Sequence, residues 1–310
     1  MRLQTSNRIL MVRPSNFGFN AETAKNNAFQ SKSAADKLKA PNEKARTEFD
    51  RFVLKLSKVG IIVEIWEDRA HVVKPDAIFP NNWISFHQDQ SIGLYPMYAV
   101  SRRKERDPQM IKWLREKYVT GKVIDFTAME KENIFLEGTG SLVLDRANKV
   151  AYACLSPRTD AILMERFCKQ FGYKKMLFSA VDQNGQDIYH TNVMMAMGDD
   201  FVVICKDSIA DKKEWSALEN QFKANNKEII NISFEQMNHY AGNMLLLRNE
   251  EGSNILVMST RAYKSLQKNQ IKQIEKYAVI LHSSINTIEN LGGGSVRCMM
   301  AELFLEPKYY

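Results

Sequence analysis

Gly292-Gly293-Gly294-Ser295-Val296-Arg297-Cys298-Met299-Met300, near the C-terminal end of this 310-residue sequence, sets a single cysteine on an unusual stretch of backbone. Consecutive glycines permit positive φ and a close approach of the main chain to a ligand. A neighbouring arginine, Arg297, favours thiolate over thiol, and the thiolate is the form that attacks carbon. Cys298 is therefore a candidate nucleophile. The same residues also describe a glycine turn beside a buried cysteine, so the rest of the chain has to decide between the two.

A cysteine that attacks carbon needs a proton shuttle, for which histidine is the usual choice near neutral pH. Of five histidines, His190 stands out. In Tyr189-His190-Thr191-Asn192-Val193-Met194-Met195 it opens what reads as an apolar strand over 190–197, with His190 and Asn192 on one face by the two-residue period. A hydrogen-bonded structural histidine has the same local pattern. His87, after Phe79-Pro80-Asn81-Asn82-Trp83-Ile84-Ser85-Phe86, is a second candidate, for which a structural or substrate-lining role is equally open. In Asn133-Ile134-Phe135-Leu136-Glu137-Gly138-Thr139-Gly140-Ser141, Glu137 lies between an apolar run and a glycine turn. Glutamate is seldom buried without a partner, although a solvated turn carboxylate fits this sequence too.

Composition bounds the class. A chain that is 45% hydrophobic and 25% charged is ordinary for a globular protein and long enough for a large core. No run of eighteen apolar residues occurs, and residues 1–10 lack the apolar segment and cleavage site of a signal peptide, so a cytoplasmic location and no membrane partner are expected. Cys154, Cys168, Cys205 and Cys298 are far apart with no C-x-x-C spacing, which points to reduced thiols and to no zinc site or disulfide framework. No metal or organic cofactor is implied. The net charge of +7 raises the question of nucleic acid, and Arg102-Arg103-Lys104-Glu105-Arg106 is the densest basic run. Acidic residues are interspersed, and no aromatic residues interleave with this run as base stacking requires. The run reads as a solvated face near a loop, with an arginine suited to an anionic group on a small substrate as the second possibility.

Short β-rich runs alternate with helical stretches along the whole chain. Strands are expected at 8–12, 60–65, 83–87, 92–95, 123–125, 141–145, 150–154, 190–197, 201–205, 244–248, 255–259 and 277–281. Helices are expected at 34–38 running on through 43–59, and at 109–117, 158–171, 212–224 and 262–268. A pair of strands followed by a helix recurs about every fifty to seventy residues, the spacing of a repeated ββα-type unit.

Taken in order, Phe79-Pro80-Asn81-Asn82, Leu136-Glu137-Gly138, Leu155-Ser156-Pro157-Arg158-Thr159, His190-Thr191-Asn192 and the 292–298 segment resemble the guanidine-modifying enzymes of the pentein fold. That family includes arginine deiminases, dimethylarginine hydrolases and glycine amidinotransferases. The Phe-Pro-Asn-Asn-Trp signature and Met11-Val12-Arg13-Pro14-Ser15-Asn16-Phe17 look most like its bacterial amidinotransferase-like, citrulline-utilisation branch. The resemblance implies one catalytic domain over 1–310, an α/β-propeller of pseudo-fivefold ββαβ modules around a central active-site funnel. It also implies that Cys298 is the nucleophile, His190 the general acid/base and Glu137 the carboxylate paired with them. Arg158 matches a position that pairs with a substrate α-carboxylate, for which a guanidinium fork is suited. Phe79 and Gly294 fall along the substrate. Arg13, with Asn20 and Asn26, lies in a polar opening segment that resembles the branch and would line the pocket, although an N-terminal strand and turn explains it equally.

The departures from the family pattern carry the substrate argument. Arginine deiminases hold the cationic guanidinium with aspartates where this chain has Asn82 and Asn192, or Asn81 and Thr191 if the register slips by one. Two neutral amides remove the charge complement of a cation, whereas a carboxamide both donates and accepts, as a ureido group requires. The expected substrate is a small amino acid, with citrulline leading, hydrolysed to ornithine, ammonia and CO2. Glu137 remains an anion in the pocket, so a deiminase, a dimethylarginine-type hydrolase or an amidinotransferase stays open. A non-catalytic binding protein is the remaining alternative, because the fold also serves in a ribosome anti-association factor that lacks the Cys/His/Glu set. No nucleic-acid partner is expected, and a homodimer is compatible with the sequence.

Overall fold

The computed structural model describes residues 3–27 and 29–308, so Met1 and Arg2 of the opening segment lie outside the described residues. One recipe recurs in every sheet. β1 (Arg8–Arg13) pairs in parallel with β2 (Ile62–Glu67), and a parallel pair needs a crossover, here the helix Pro41–Lys58. That helix buries Ala45, Phe49, Phe52 and Leu56 at three- to four-residue spacing, begins on a proline and carries Lys55 and Lys58 in its last turn. Each large apolar side chain so buried contributes about 1.5–3 kcal/mol.

The next sheet joins β3 (Ile84–Phe86) antiparallel to β4 (Ile92–Leu94), and β4 parallel to β5 (Val123–Asp125) across the helix Pro108–Lys117. β6 (Val143–Asp145), β7 (Val150–Cys154) and β8 (Lys174–Phe178) repeat this around the helix Ala161–Phe171. β9 (Met195–Met197), β10 (Phe201–Ile204) and β11 (Glu228–Asn231) repeat it around Lys212–Ala224. β12 (Leu245–Arg248), β13 (Asn254–Ser259) and β14 (Val279–Ser283) do so around Thr260–Ser265 and Lys268–Glu275. Finally β15 (Ala301–Glu302) lies antiparallel to β1, pairing Ile9 with Glu302 and Leu10 with Ala301, so the opposite end of the chain completes the first sheet. Among the described residues there are thus five three-stranded sheets, the pseudo-fivefold ββαβ arrangement of the pentein fold.

Several expected elements change at their ends. The helix expected to run from 34 to 59 is two helices, Lys32–Lys37 and Pro41–Lys58, because Pro41 disfavours helical geometry in the residue before it and Ala40 adopts φ +50°. The 262–268 helix is likewise two. Strands 141–145 and 190–197 each begin instead as a short helical turn, Gly138–Ser141 and Thr191–Met194. His190 itself is extended, but the coil after it means that a strand period does not relate it to Asn192. β8 and β11, absent from the expected set, are edge strands whose Lys174, Lys175 and Glu228 break the apolar pattern.

Those turns are what the fold uses to build a site. Each first strand is entered from a turn at the same end of its sheet: Pro80–Asn82 before β3, Gly138–Ser141 before β6, Thr191–Met194 before β9, the Tyr240 turn before β12 and residues 296–299 before β15. The turns touch around a ring. A Cβ on Gly138 would collide with the Asn81 carbonyl, one on Gly140 with the Asn82 and His190 side chains, and one on Gly242 with the Val193 carbonyl. Glycine permits each close approach.

Candidate active site

The ring of turns surrounds a small cavity lined by residues that include Asp76, Phe79, Asn82, Arg102, Arg158, Tyr189, His190, Gly294 and Cys298. Glu137 is fully buried beneath it. Its Oε2 accepts the His190 Nε2–H at 2.7 Å and lies 3.5 Å from an Arg158 nitrogen, and its Oε1 accepts the Tyr98 N–H at 2.9 Å. Burial works to raise the carboxyl, but Arg158, the His190 hydrogen bond and Arg102 outweigh it and hold Glu137 down at about 2. An ionised carboxylate only accepts, so Nε2 carries the proton and Nδ1 presents a lone pair towards Gly140 and Asn82. His190 itself is pushed down to about 4, first by burial and then by Arg158 and Arg102, against the pull of Glu137. It is neutral at pH 7.

Lowered values in the fold have a consequence for stability. Because folded His190 holds its proton less tightly than the ordinary value of 6.5, the stability its neutral form provides is fully present above that pH and is lost as pH falls towards about 4. The difference in urea midpoint between the parent and His190→Gln should therefore be flat above the upper value and shrink through that window. A difference that grows on acidification would overturn the assignment.

Cys298 is buried, and its Sγ receives amide N–H groups from Asn192 at 3.6 Å and Asn243 at 3.3 Å. Its backbone N–H caps the Ser295 carbonyl at 3.0 Å. The glycines before it have definite work: Gly293 has φ +64°, and a Cβ on Gly292 or Gly294 would stand 2.8 or 3.0 Å from the Phe79 ring. At Gly140 a Cβ would overlap the Asn82 amide and sit 2.8 Å from His190 Nδ1. Gly140→Ala should leave the fold in place and lower kcat about a hundredfold by displacing those groups. Unchanged kinetics in a folded variant would show that their positions are not critical.

The structure gathers most of the expected site residues and sends others elsewhere. Cys298, His190, Glu137, Asn82, Asn192, Arg158, Phe79 and Gly294 surround this one cavity or support its wall. Arg13 does not join them. Its guanidinium makes a two-point contact with Asp50, both at 2.7 Å, and reaches Glu67 on the outer side of β1. Arg297 does not face the sulfur either. It donates to Glu302 at 2.8 Å and to the Met300 carbonyl at 2.9 Å, drawn there by the buried carboxylate. His87 lies apart in the core, bonded to Ser85 at 2.8 Å and stacked on Phe171 at 3.9 Å. Asn20 binds Asp76 at 2.8 Å and Asn26 binds Arg158, so both support the wall.

Arg102 reverses its expected place. Far from lying on a solvated face, it is 3% exposed, clamped by Glu105 at 2.8 Å and bonded to the Asn82 Oδ1 at 2.7 Å. Sequence periodicity cannot show this because the run lies in a 3-10 segment rather than on a regular helix face. Asp76 and Asn243 were also missed. Asp76 has no local signature, but Asn243 precedes Leu245 of β12 as Asn82 precedes Ile84 of β3, an offset that a module-by-module alignment exposes. Among the described residues no His/Cys/Asp/Glu cluster suited to a metal occurs, and no helix is long and apolar enough to cross a membrane.

Five ββαβ sheets around an axial Cys, His and Glu define a guanidine-modifying enzyme of the pentein fold. A family model described as N,N dimethylarginine dimethylhydrolase, eukaryotic, matches residues 13–305. The chain belongs to that family of hydrolases acting on non-peptide C–N bonds. Among solved structures, ArgZ, an arginine dihydrolase from the ornithine-ammonia cycle in cyanobacteria, is similar with a TM-score of 0.75 and 15% identity over 97% of this chain and 41% of that one. The chain thus spans about two-fifths of that relative's length. The N-terminal domain of ArgZ bound to substrate is similar at 0.71 and 15%, over 96% and 97% of the two chains. A dimethylarginine dimethylaminohydrolase in adduct with S-methyl-L-thiocitrulline gives 0.64 and 14%, over 96% and 100%. At such identities the likeness shows the fold. No curated protein sequence matches this one.

Proposed function

We propose that this chain is a cysteine-dependent hydrolase of the terminal ureido or guanidino group of a small amino acid, with citrulline as the leading substrate. The observation that carries the ureido reading is the fixed orientation of two amides. Arg102 can only donate, so Asn82 turns its oxygen to Arg102 at 2.7 Å and leaves Nδ2 without a partner among the described residues. Asn192 gives Nδ2 to the Thr139 carbonyl at 3.3 Å and leaves Oδ1 without one. One free donor and one free acceptor complement a ureido carbonyl and NH2, whereas a guanidinium offers donors alone. At the other end, Asp76 Oδ1 and Arg158 Nε also lack partners among the described residues. A buried carboxylate beside Arg102 and Arg158 suits the ammonium and carboxylate of an amino acid.

In this reading the Cys298 thiol gives its proton to His190, and the thiolate adds to the planar ureido carbon. The C–NH2 bond breaks as His190 returns the proton, releasing ammonia and leaving a thiocarbamate on sulfur. Water, deprotonated by the same histidine, cleaves the C–S bond, and the carbamic acid so formed decomposes to ornithine and CO2. Glu137 fixes the His190 tautomer and stabilises the imidazolium. The ionised Glu137 favours one second reading, a guanidino substrate such as arginine or its dimethylated form, and the same residues would serve an amidino transfer.

Purified protein incubated separately with citrulline and with arginine, following ammonia and ornithine, separates these readings. Ornithine from citrulline is expected. Asn82→Asp keeps the acceptor for Arg102 while adding an anion, and should raise turnover of arginine relative to citrulline roughly tenfold or more. Turnover of arginine without citrulline by the parent protein would sink the ureido reading while sparing the thiolate chemistry.

A further inference from the structure

Asn243 is 1% exposed and lies on the ring of turns directly beside the candidate nucleophile. Its Oδ1 accepts the Arg297 N–H at 3.0 Å, and its Nδ2 donates to the Asn192 carbonyl at 3.0 Å and to Cys298 Sγ at 3.3 Å. An N–H can only donate and a carbonyl can only accept, so these two backbone partners fix which way the amide faces. The NH2 is turned towards sulfur. Its backbone has little freedom as well, since a Cβ on Gly242 would overlap the Val193 carbonyl and come within 2.8 Å of Met194 Cα. The arginine next to the cysteine in sequence is committed to Glu302, and the nearest donors to sulfur among the described residues are amides from two different turns.

We propose that Asn243 is a catalytic residue that donates a hydrogen bond to the Cys298 thiolate, stabilising it over the thiol and holding Sγ at the cavity wall. A thiolate accepts an N–H bond more strongly than a neutral thiol does, so a rigid amide donor acts selectively on the attacking form. Asn192 adds a longer, weaker donor at 3.6 Å. The proposal rests on Cys298 being the nucleophile, and its test reads the sulfur directly as well as turnover.

The rate of Cys298 alkylation by iodoacetamide, followed on the full chain by intact mass between about pH 5 and 10, provides that reading. Cys298→Ala assigns the modified site. Asn243→Ala removes the amide without adding charge, whereas Asn243→Asp keeps the acceptor for the Arg297 N–H, removes the donor and adds an anion beside sulfur. Asn243→Ala should slow alkylation at neutral pH roughly tenfold or more and displace the profile to higher pH. Its kcat for citrulline should fall in parallel while KM stays near the parental value. If Asn243→Ala does not fold, the near-isosteric and uncharged Asn243→Leu decides the matter. Alkylation of Asn243→Ala, or of Asn243→Leu in its place, at the parental rate and pH profile would overturn the proposal alone and leave Asn243 as a loop support. Turnover surviving in Cys298→Ala would overturn the nucleophile reading and this proposal with it.

Discussion

Cys298→Ala is expected to abolish citrulline turnover, with a loss of at least about 10⁴-fold, while the thermal midpoint moves by only a few degrees. The asymmetry follows from the contacts of Sγ. It takes part in no ion pair, and its partners are two asparagine amides that keep other acceptors, the Thr139 and Asn192 carbonyls. Loss of sulfur therefore strands no charge. It does remove the only sulfur placed at the cavity among the described residues. The other three cysteines cannot substitute for it, because burial pushes the Cys154 thiol up to about 12 and those of Cys168 and Cys205 to about 11. Initial rates of ornithine release and a thermal melt of the same preparation check this. A folded variant with parental rates would end the covalent mechanism.

Glu137→Gln should lose about 10³- to 10⁴-fold in kcat and, unlike the cysteine change, cost several kcal/mol of stability. The new amide keeps the shape of the carboxylate but offers an N–H where His190 Nε2 needs an acceptor. It thereby favours the tautomer with the proton on Nδ1, the wrong nitrogen for taking a proton at the cavity. It also leaves Arg158 without its anionic neighbour at 3.5 Å and weakens the balance of charge beneath the site. KM should change less than kcat, because in the proposed reading Asp76, Arg102 and Arg158 take the amino-acid end of the substrate. Steady-state kinetics with a urea denaturation series test both halves. Parental kcat in this variant would remove Glu137 from the machinery.

Much of the site was legible because motif residues flank the strands that carry it. Asn82, Glu137, His190 and Cys298 each stand in or at the start of the turn that leads into the first strand of a module. Middle strands such as β7 and β10 were equally legible, since burial on both faces demands continuous apolar sequence. The edge strands β8 and β11 were not, because their solvent-facing sides tolerate Lys174, Lys175 and Glu228, which break the apolar pattern. Arg102 was misread for a related reason. Its burial is set by Glu105, Asn82 and the Phe79 carbonyl, partners whose proximity no local pattern announces.

By itself, then, the sequence determined the recurring module and pointed to Cys298, His190 and Glu137, with neutral amides at Asn82 and Asn192, because residue type and order carry these directly. Only the tertiary structure decided which way those amides face, which arginines reach the cavity, and that Asn243 rather than Arg297 contacts the sulfur. These depend on donors and acceptors brought together from different modules, and the direction of a hydrogen bond is fixed by its partner in space rather than by its neighbour in the chain.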